Sequence, residues 1–347
     1  MVVLKTFGSF LGVVAAYLTV VIFFPVLKVK LQPFSKNTEL NAKKPPECRH
    51  DIEYEVNGTK VRGWLYLPAA SGKPAPLIIL SQGFNGTKDA ILEKYALKFV
   101  QNGYGALTYD YRHYGDSDGM PRQLYCGKEQ IEDLKGAITY ARSRKEIDSD
   151  KIVIWGTSAA GNYGILIASE DNRVAGVIAQ CGAYDHEEDS KLYKERGDGM
   201  GFFLKLFVHA QRDKGRSRFG LSRHMISAYG MPGTTAMFRG KGVFEGAEHL
   251  AKDSVNFKNE ICAGFLVMPQ PKDPLKIAEK VKVPVLMLVC AYDEIVSPKS
   301  HVKMVEILGN LGEIKSYPIG HFDIYEGSNF ETAVNDQLNF LKRVFGQ

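Results

Sequence analysis

Three residue types in this chain of 347 residues, a serine, a histidine and an aspartate, are spaced so that they can open a carbonyl by covalent attack. Ser158 stands in Trp155-Gly156-Thr157-Ser158-Ala159-Ala160-Gly161, directly after the apolar run Ile152-Val153-Ile154. A buried strand that passes through small residues into a helix carries a serine on a sharp turn. Its hydroxyl is then lifted clear of the sheet, beside free amides of the helix N-terminus. The Gly-x-Ser-x-Gly spacing departs in one place: Ala160 holds the second glycine position and Gly161 follows it. Asp293 comes just after the apolar run 283–290, with Glu294 beside it as a fallback. His321 lies in Gly320-His321-Phe322-Asp323, after a strand expected over 313–318 and before a terminal helix. A histidine so placed takes the serine proton, and the acid orients the ring and stabilises its cation. Singly, these residues have plainer readings: a Gly-Ser turn, a turn aspartate, one of eight histidines. Together, each at the end of an expected strand, they predict a Ser158–His321–Asp293 triad. The oxyanion is expected at two backbone amides, those of Ala159 and of Phe84 in Ser81-Gln82-Gly83-Phe84-Asn85-Gly86. The Phe84 loop also reads as an ordinary strand–helix turn. This chemistry calls for no metal and no organic cofactor.

Such residues need a rigid sheet to hold them. Residues 76–80, 105–109, 151–155, 174–179 and 283–290 are short apolar runs, as expected of strands buried on both faces of a parallel sheet. Helical patterns over 90–101 and 128–144 lie between them, the second with Ile131, Leu134, Ala137, Ile138 and Ala141 on one face. This alternation predicts an α/β fold with a mostly parallel central sheet and helices on both faces. Residues 52–56 and 61–67 alternate around Asn57-Gly58 as an antiparallel hairpin at one edge. The rhythm lapses over about 184–272, where no clear strand appears, and this stretch reads as an inserted cap. Its Phe202, Phe203, Leu204, Leu206, Phe207, Met225, Met231, Met237 and Phe238 either line an acyl pocket or form the cap's own core.

The chain order Ser158, Asp293, His321 is that of the α/β-hydrolases, and the sequence resembles that superfamily over roughly residues 50–345. Tyr109-Asp110-Tyr111-Arg112-His113-Tyr114-Gly115-Asp116-Ser117 is similar to its loop of form D-x-R-x-x-G-x-S. Taken with Met120-Pro121-Arg122-Gln123, Gln130-Ile131-Glu132-Asp133 and Gly320-His321-Phe322-Asp323-Ile324-Tyr325, it resembles more closely a dienelactone-hydrolase-like subgroup. That subgroup includes fungal polyketide thiohydrolases and polyketide transferases. The resemblance implies the α/β-hydrolase fold and acyl transfer from a small-molecule ester or thioester, to water or to an alcohol. Dienelactone hydrolases proper use cysteine where this chain has Ser158. A serine esterase or thioesterase is the leading expectation, ahead of an acyltransferase with the same triad and of a non-catalytic binding protein on this fold.

The N-terminus has another character. Residues 7–27 carry no charge over 21 positions, about 30 Å of helix and close to the hydrocarbon thickness of a bilayer. They predict an N-terminal transmembrane helix within 1–30, a linker over 31–49 and the hydrolase domain over 50–347. A cleaved signal peptide competes, but no small-x-small site follows the run. Lys5 alone precedes it, whereas Lys28, Lys30, Lys36, Lys43 and Lys44 follow, which predicts a single-pass membrane protein with a cytosolic catalytic domain. The net charge of +5 is dispersed without a basic stripe, so no nucleic-acid partner is expected. The five scattered cysteines read as free thiols and show no metal-ligand spacing.

Overall fold

A computed structural model describes residues 2–24, 26–37, 44–69 and 72–346. The chain enters through helix α1 (Val2–Phe23) and the hairpin β1 (Arg49–Val56) and β2 (Thr59–Tyr66), and continues through β3 (Ala75–Ser81), helix α2 (Leu92–Gln101) and β4 (Gly105–Tyr109). Helix α3 (Gly127–Arg142), β5 (Ile147–Thr157), α4 (Gly161–Ala168) and β6 (Gly176–Gln180) follow. The next stretch holds α5 (His186–Glu195), α6 (Met200–Arg218), β7 (Met225–Gly230), β8 (Ala236–Arg239), α7 (Lys241–Ala251) and β9 (Ile261–Cys262). Strand β10 (Val285–Cys290), helix α8 (Pro298–Leu308), β11 (Gly312–Tyr317) and helix α9 (Gly327–Phe345) complete the fold.

Among the described residues the main sheet has eight strands in the order β1-β2-β4-β3-β5-β6-β10-β11. Strand β2 runs antiparallel to both neighbours, and every other pairing is parallel. The continuously apolar strands follow from two-sided burial. Leu77 and Ile79 of β3, Ile152 and Ile154 of β5, and Val285 and Met287 of β10 pack with α3, α4 and α8. Their alternates Ile78, Leu80, Val153, Trp155, Leu286 and Leu288 pack with α2 and α9. Each such side chain contributes about 1.5–3 kcal/mol by leaving water, so a one-residue slip in register is heavily disfavoured.

Between β6 and β10 the chain builds a cap around Leu206, Ile226, Ala228, Tyr229, Val243, Ala247, Phe257 and Ile261. The cap contains a three-stranded sheet, β8-β7-β9, where sequence patterning predicts no strand. Strand β7 is short and carries Ser227, Ala228 and Gly230, so its β signal is weak until β8 and β9 pair with it. Residues 32–37 run along this cap. Phe34 is buried against Tyr229, Phe244 and Phe257, and Asn259 Nδ2 donates to the Gln32 carbonyl at 2.6 Å. Residues 38–43 of the expected linker lie outside the described residues.

The expected transmembrane helix is overturned. Among the described residues no helix is long and apolar enough to cross a membrane. The last turn of α1 is instead docked on α6. Arg212 donates to the carbonyls of Val21 and Phe24, Arg216 donates to that of Ile22, Val21 is buried, and Ile22 packs over Gly215. An apolar run reports a need for an apolar neighbour, and here that neighbour is in part the cap helix. The expected single-pass placement with a cytosolic catalytic domain, and the membrane as a partner, fall with it.

Candidate active site

Strand β5 ends at Thr157, and Ser158 takes φ 53°, the left-handed region that L-residues enter only under constraint. A single 3-10 turn over Ser158–Ala160 then leads into α4. The departure at Ala160 has a structural reason. The close approach falls one residue later, at Gly161, where an added Cβ would lie 2.6 Å from Gly182 Cα. Ala160 itself is fully buried, and its methyl fits.

Asp293 and His321 emerge from the ends of β10 and β11. His321 Nδ1 and Asp293 Oδ2 are 2.6 Å apart, and both side chains are buried. The other carboxylate oxygen accepts from the amides of Ile295 at 2.7 Å and Val296 at 2.8 Å. With the carboxylate ionised, Nδ1 carries the proton and Nε2 is left to accept one. Glu294, the fallback acid, is exposed, and its carboxylate lies by Gly240 and Gly242 at the start of α7. Ser158 and His321 line one small cavity of about 30 Å³, shared with Gln82, Gly83, Phe84, Tyr229, Leu250, Phe257, Phe322 and Tyr325.

The expected oxyanion loop also borders this cavity. An added Cβ at Gly83 would lie 2.9 Å from Ser158 Cβ and 3.1 Å from the Thr157 carbonyl, so the loop and the elbow are in contact. The Phe84 ring is held by Tyr125, Phe238 and Phe265 at centroid distances of 4.8, 5.1 and 5.4 Å, and its carbonyl accepts from Tyr229 Oη at 2.7 Å. Among the described residues the Phe84 amide bonds to no other group. Ala159 follows Ser158 at the head of the helical turn.

Of the cap residues expected around an acyl pocket, none lines this cavity. Leu206 belongs to the cap core, Phe202, Met237 and Phe238 pack against that core, and Leu204 and Phe207 are exposed. Tyr229, Leu250 and Phe257 supply the cap's wall instead.

Several residues near the site carry no local sequence signal of their role. Lys88, fully buried, sits 2.6 Å from Asp110 Oδ2 and 2.5 Å from Asp116 Oδ2, and its amide donates to Asp110 Oδ1 at 2.8 Å. Burial works against the Lys88 cation, yet the two carboxylates outweigh it and hold its pKa above the ordinary value. This cluster ties the segment after the expected oxyanion loop to the D-x-R-x-x-G-x-S loop. Asp189 of α5, also buried, accepts from the Ser297 amide at 2.8 Å and so shares the acid loop with Asp293. Burial is the main cause that pushes the Asp189 carboxyl up to about 7, with Asp293 and Asp185 adding to it and the Ser297 amide and His321 opposing. Cys181, Cys290 and an Asp293 oxygen lie within 4.8 Å of one another. The Asp293 oxygens are already committed to His321, Ile295 and Val296, and burial drives Cys181 strongly toward the neutral thiol. The two sulfurs, 3.2 Å apart, read as a hydrogen-bonded thiol pair.

The Acinetobacter baumannii quorum-quenching protein AidA is 36% identical to this chain over 86% of it and 96% of the relative. The chain belongs to the α/β-hydrolase superfamily. The model for the X-Pro dipeptidyl-peptidase (S15 family) matches residues 57–219. The thiohydrolase aneE of Aspergillus aculeatus is 27% identical over 85% of this chain and 93% of its own length. The crystal structure of the α/β hydrolase GrgF from Penicillium sp. sh18 superposes with a TM-score of 0.71 at 25% identity, covering 86% of this chain and 99% of that one. The protein is thus a hydrolase with relatives in the thiohydrolase and polyketide transferase group that its sequence resembles.

Proposed function

We propose that this α/β-hydrolase is a serine hydrolase that cleaves a carboxylic ester or thioester through Ser158, His321 and Asp293. The observation that carries the reading is the pairing of a strained Ser158 with an Asp293-bonded His321 in one cavity. His321 Nε2 removes the Ser158 proton as Oγ attacks the carbonyl carbon. The oxyanion that forms is received by the amides of Phe84 and Ala159, each of which is worth roughly 10²–10³ in rate at such sites. Collapse of the adduct expels the alcohol or thiol, which takes the proton from His321. Water, deprotonated by His321, then releases the acid from the acyl-serine. The aromatic walls from Phe84, Tyr229, Phe257 and Phe322 favour an apolar acyl group and limit water at the carbonyl.

A fluorophosphonate probe tests the assignment. The wild type is expected to label and lose activity in parallel, whereas Ser158→Ala neither labels nor turns over acyl thioesters. Equal labelling of the two proteins removes Ser158 from the mechanism. Adding an alcohol acceptor to the same assay separates hydrolysis from acyl transfer, because a transferase then yields the new ester in place of the acid.

A further inference from the structure

The cavity over Ser158 is far smaller than the space next to it. A second cavity of about 370 Å³ lies on the far side of His321 and Phe322, and these two residues line both. It is bounded by the start of α7 at Gly242 and Gly246, by Glu294 in the acid loop, and by Glu245 and Asp323. His321 is about nine-tenths buried, its Nδ1 is taken by Asp293, and its Nε2 has no partner among the described residues. Phe322 forms the partition. Its ring rests on Gly246, where an added Cβ would lie 2.5 Å from the ring edge.

This cavity adjoins His321, the residue from which a departing group takes its proton. In acyl transfer the leaving oxygen or sulfur takes the bond pair from the carbonyl carbon and the proton from His321 Nε2. It must therefore sit within hydrogen-bond reach of that nitrogen, away from the oxyanion amides. The chamber's charge is one-sided. Glu245, Glu294 and Asp323 line it, and among the described residues no lysine or arginine does. Lys241 stands 3.9 Å from Glu245, and Arg196 is committed to Asp198 and to the Glu294 carbonyl. Among the described residues the Glu294 carboxylate makes no ion pair. The α7 N-terminus adds only about half a positive charge, which leaves the chamber negative.

Building on the serine-hydrolase reading, we propose that this chamber receives the leaving alcohol or thiol, and that it accepts neutral or cationic leaving groups while disfavouring anionic ones. Three thioesters with one butyryl group test it, their thiols being thiocholine, N-acetylcysteamine and 3-mercaptopropionate. The expected kcat/KM for the anionic thioester is roughly tenfold or more below the neutral one, since each half-exposed carboxylate contributes a few-fold. Replacing two carboxylates in Glu245→Gln/Glu294→Gln is expected to raise the anionic-to-neutral ratio several-fold and to lower the cationic-to-neutral ratio. Identical ratios in wild type and variant overturn the chamber assignment while leaving Ser158-dependent turnover in place. Turnover that survives Ser158→Ala overturns the hydrolase reading on which it rests.

Discussion

Asp189 offers a sharp test of how the cap and the acid loop are joined. Its carboxyl is displaced from the ordinary 3.8 up to about 7, chiefly by burial, so the folded chain holds a proton that the unfolded chain releases between those values. A carboxyl raised in the folded state makes stability fall as pH rises through that window, and the loss is complete above about 7. The displacement corresponds to a ceiling of roughly 4 kcal/mol at 1.36 kcal/mol per pH decade. Asp189→Asn keeps an oxygen to accept from the Ser297 amide and removes the charge that burial and Asp293 oppose. Variant and wild type should match near pH 4, and the variant should gain as pH rises, reaching its full advantage near pH 8. For a chain of this size that gain is about 5 °C in melting temperature. Thermal melts from pH 4.5 to 8.5 measure it directly. Parallel curves across the range would refute the claim that Asp189 is a buried, destabilised carboxylate.

The remaining predictions concern the site itself. Asp293→Asn should lower kcat about 10³–10⁴-fold with KM nearly unchanged, because the ring loses its orienting charge; steady-state kinetics showing less than a tenfold loss would exclude it as the triad acid. Gly83→Ala places a methyl 2.9 Å from Ser158 Cβ and should displace the oxyanion loop, cutting kcat by about 10²-fold. Burst kinetics with a normal acylation rate would show instead that the loop yields without harm. Lys88→Met leaves Asp110 buried without its cation and should cost about 3–5 kcal/mol in urea unfolding. Adding Asp110→Asn should restore most of that loss, and a double variant as weak as the single one would contradict the pairing.

Much of the architecture is legible along the chain. The runs at 76–80, 152–155 and 283–290 are apolar at every position because the sheet is covered on both faces, and the structure places them in β3, β5 and β10. The hairpin around Asn57-Gly58 is likewise a local matter, with Val56 opposite Thr59. Ser158, Asp293 and His321 stand out for the same reason, since each follows a strand end where the backbone leaves the sheet. The cap resisted the same treatment. Its strand β7 acquires its character only by pairing with β8 and β9, and its aromatic residues divide between core, surface and cavity in a way periodicity does not record. The apolar N-terminal run illustrates the limit most plainly, for hydropathy states that a segment needs an apolar neighbour and is silent on which one.

The amino-acid sequence located the central strands and the order of the proposed triad residues along them, because continuous apolar runs report two-sided burial locally. Tertiary structure alone decided the rest. It placed the obligatory close contact at Gly161, brought Asp189 to the Asp293 loop and Lys88 to Asp110, seated Phe322 on Gly246, and docked the end of α1 on α6. Each of these joins residues from separate elements, and local propensity carries no information about which distant side chain will arrive.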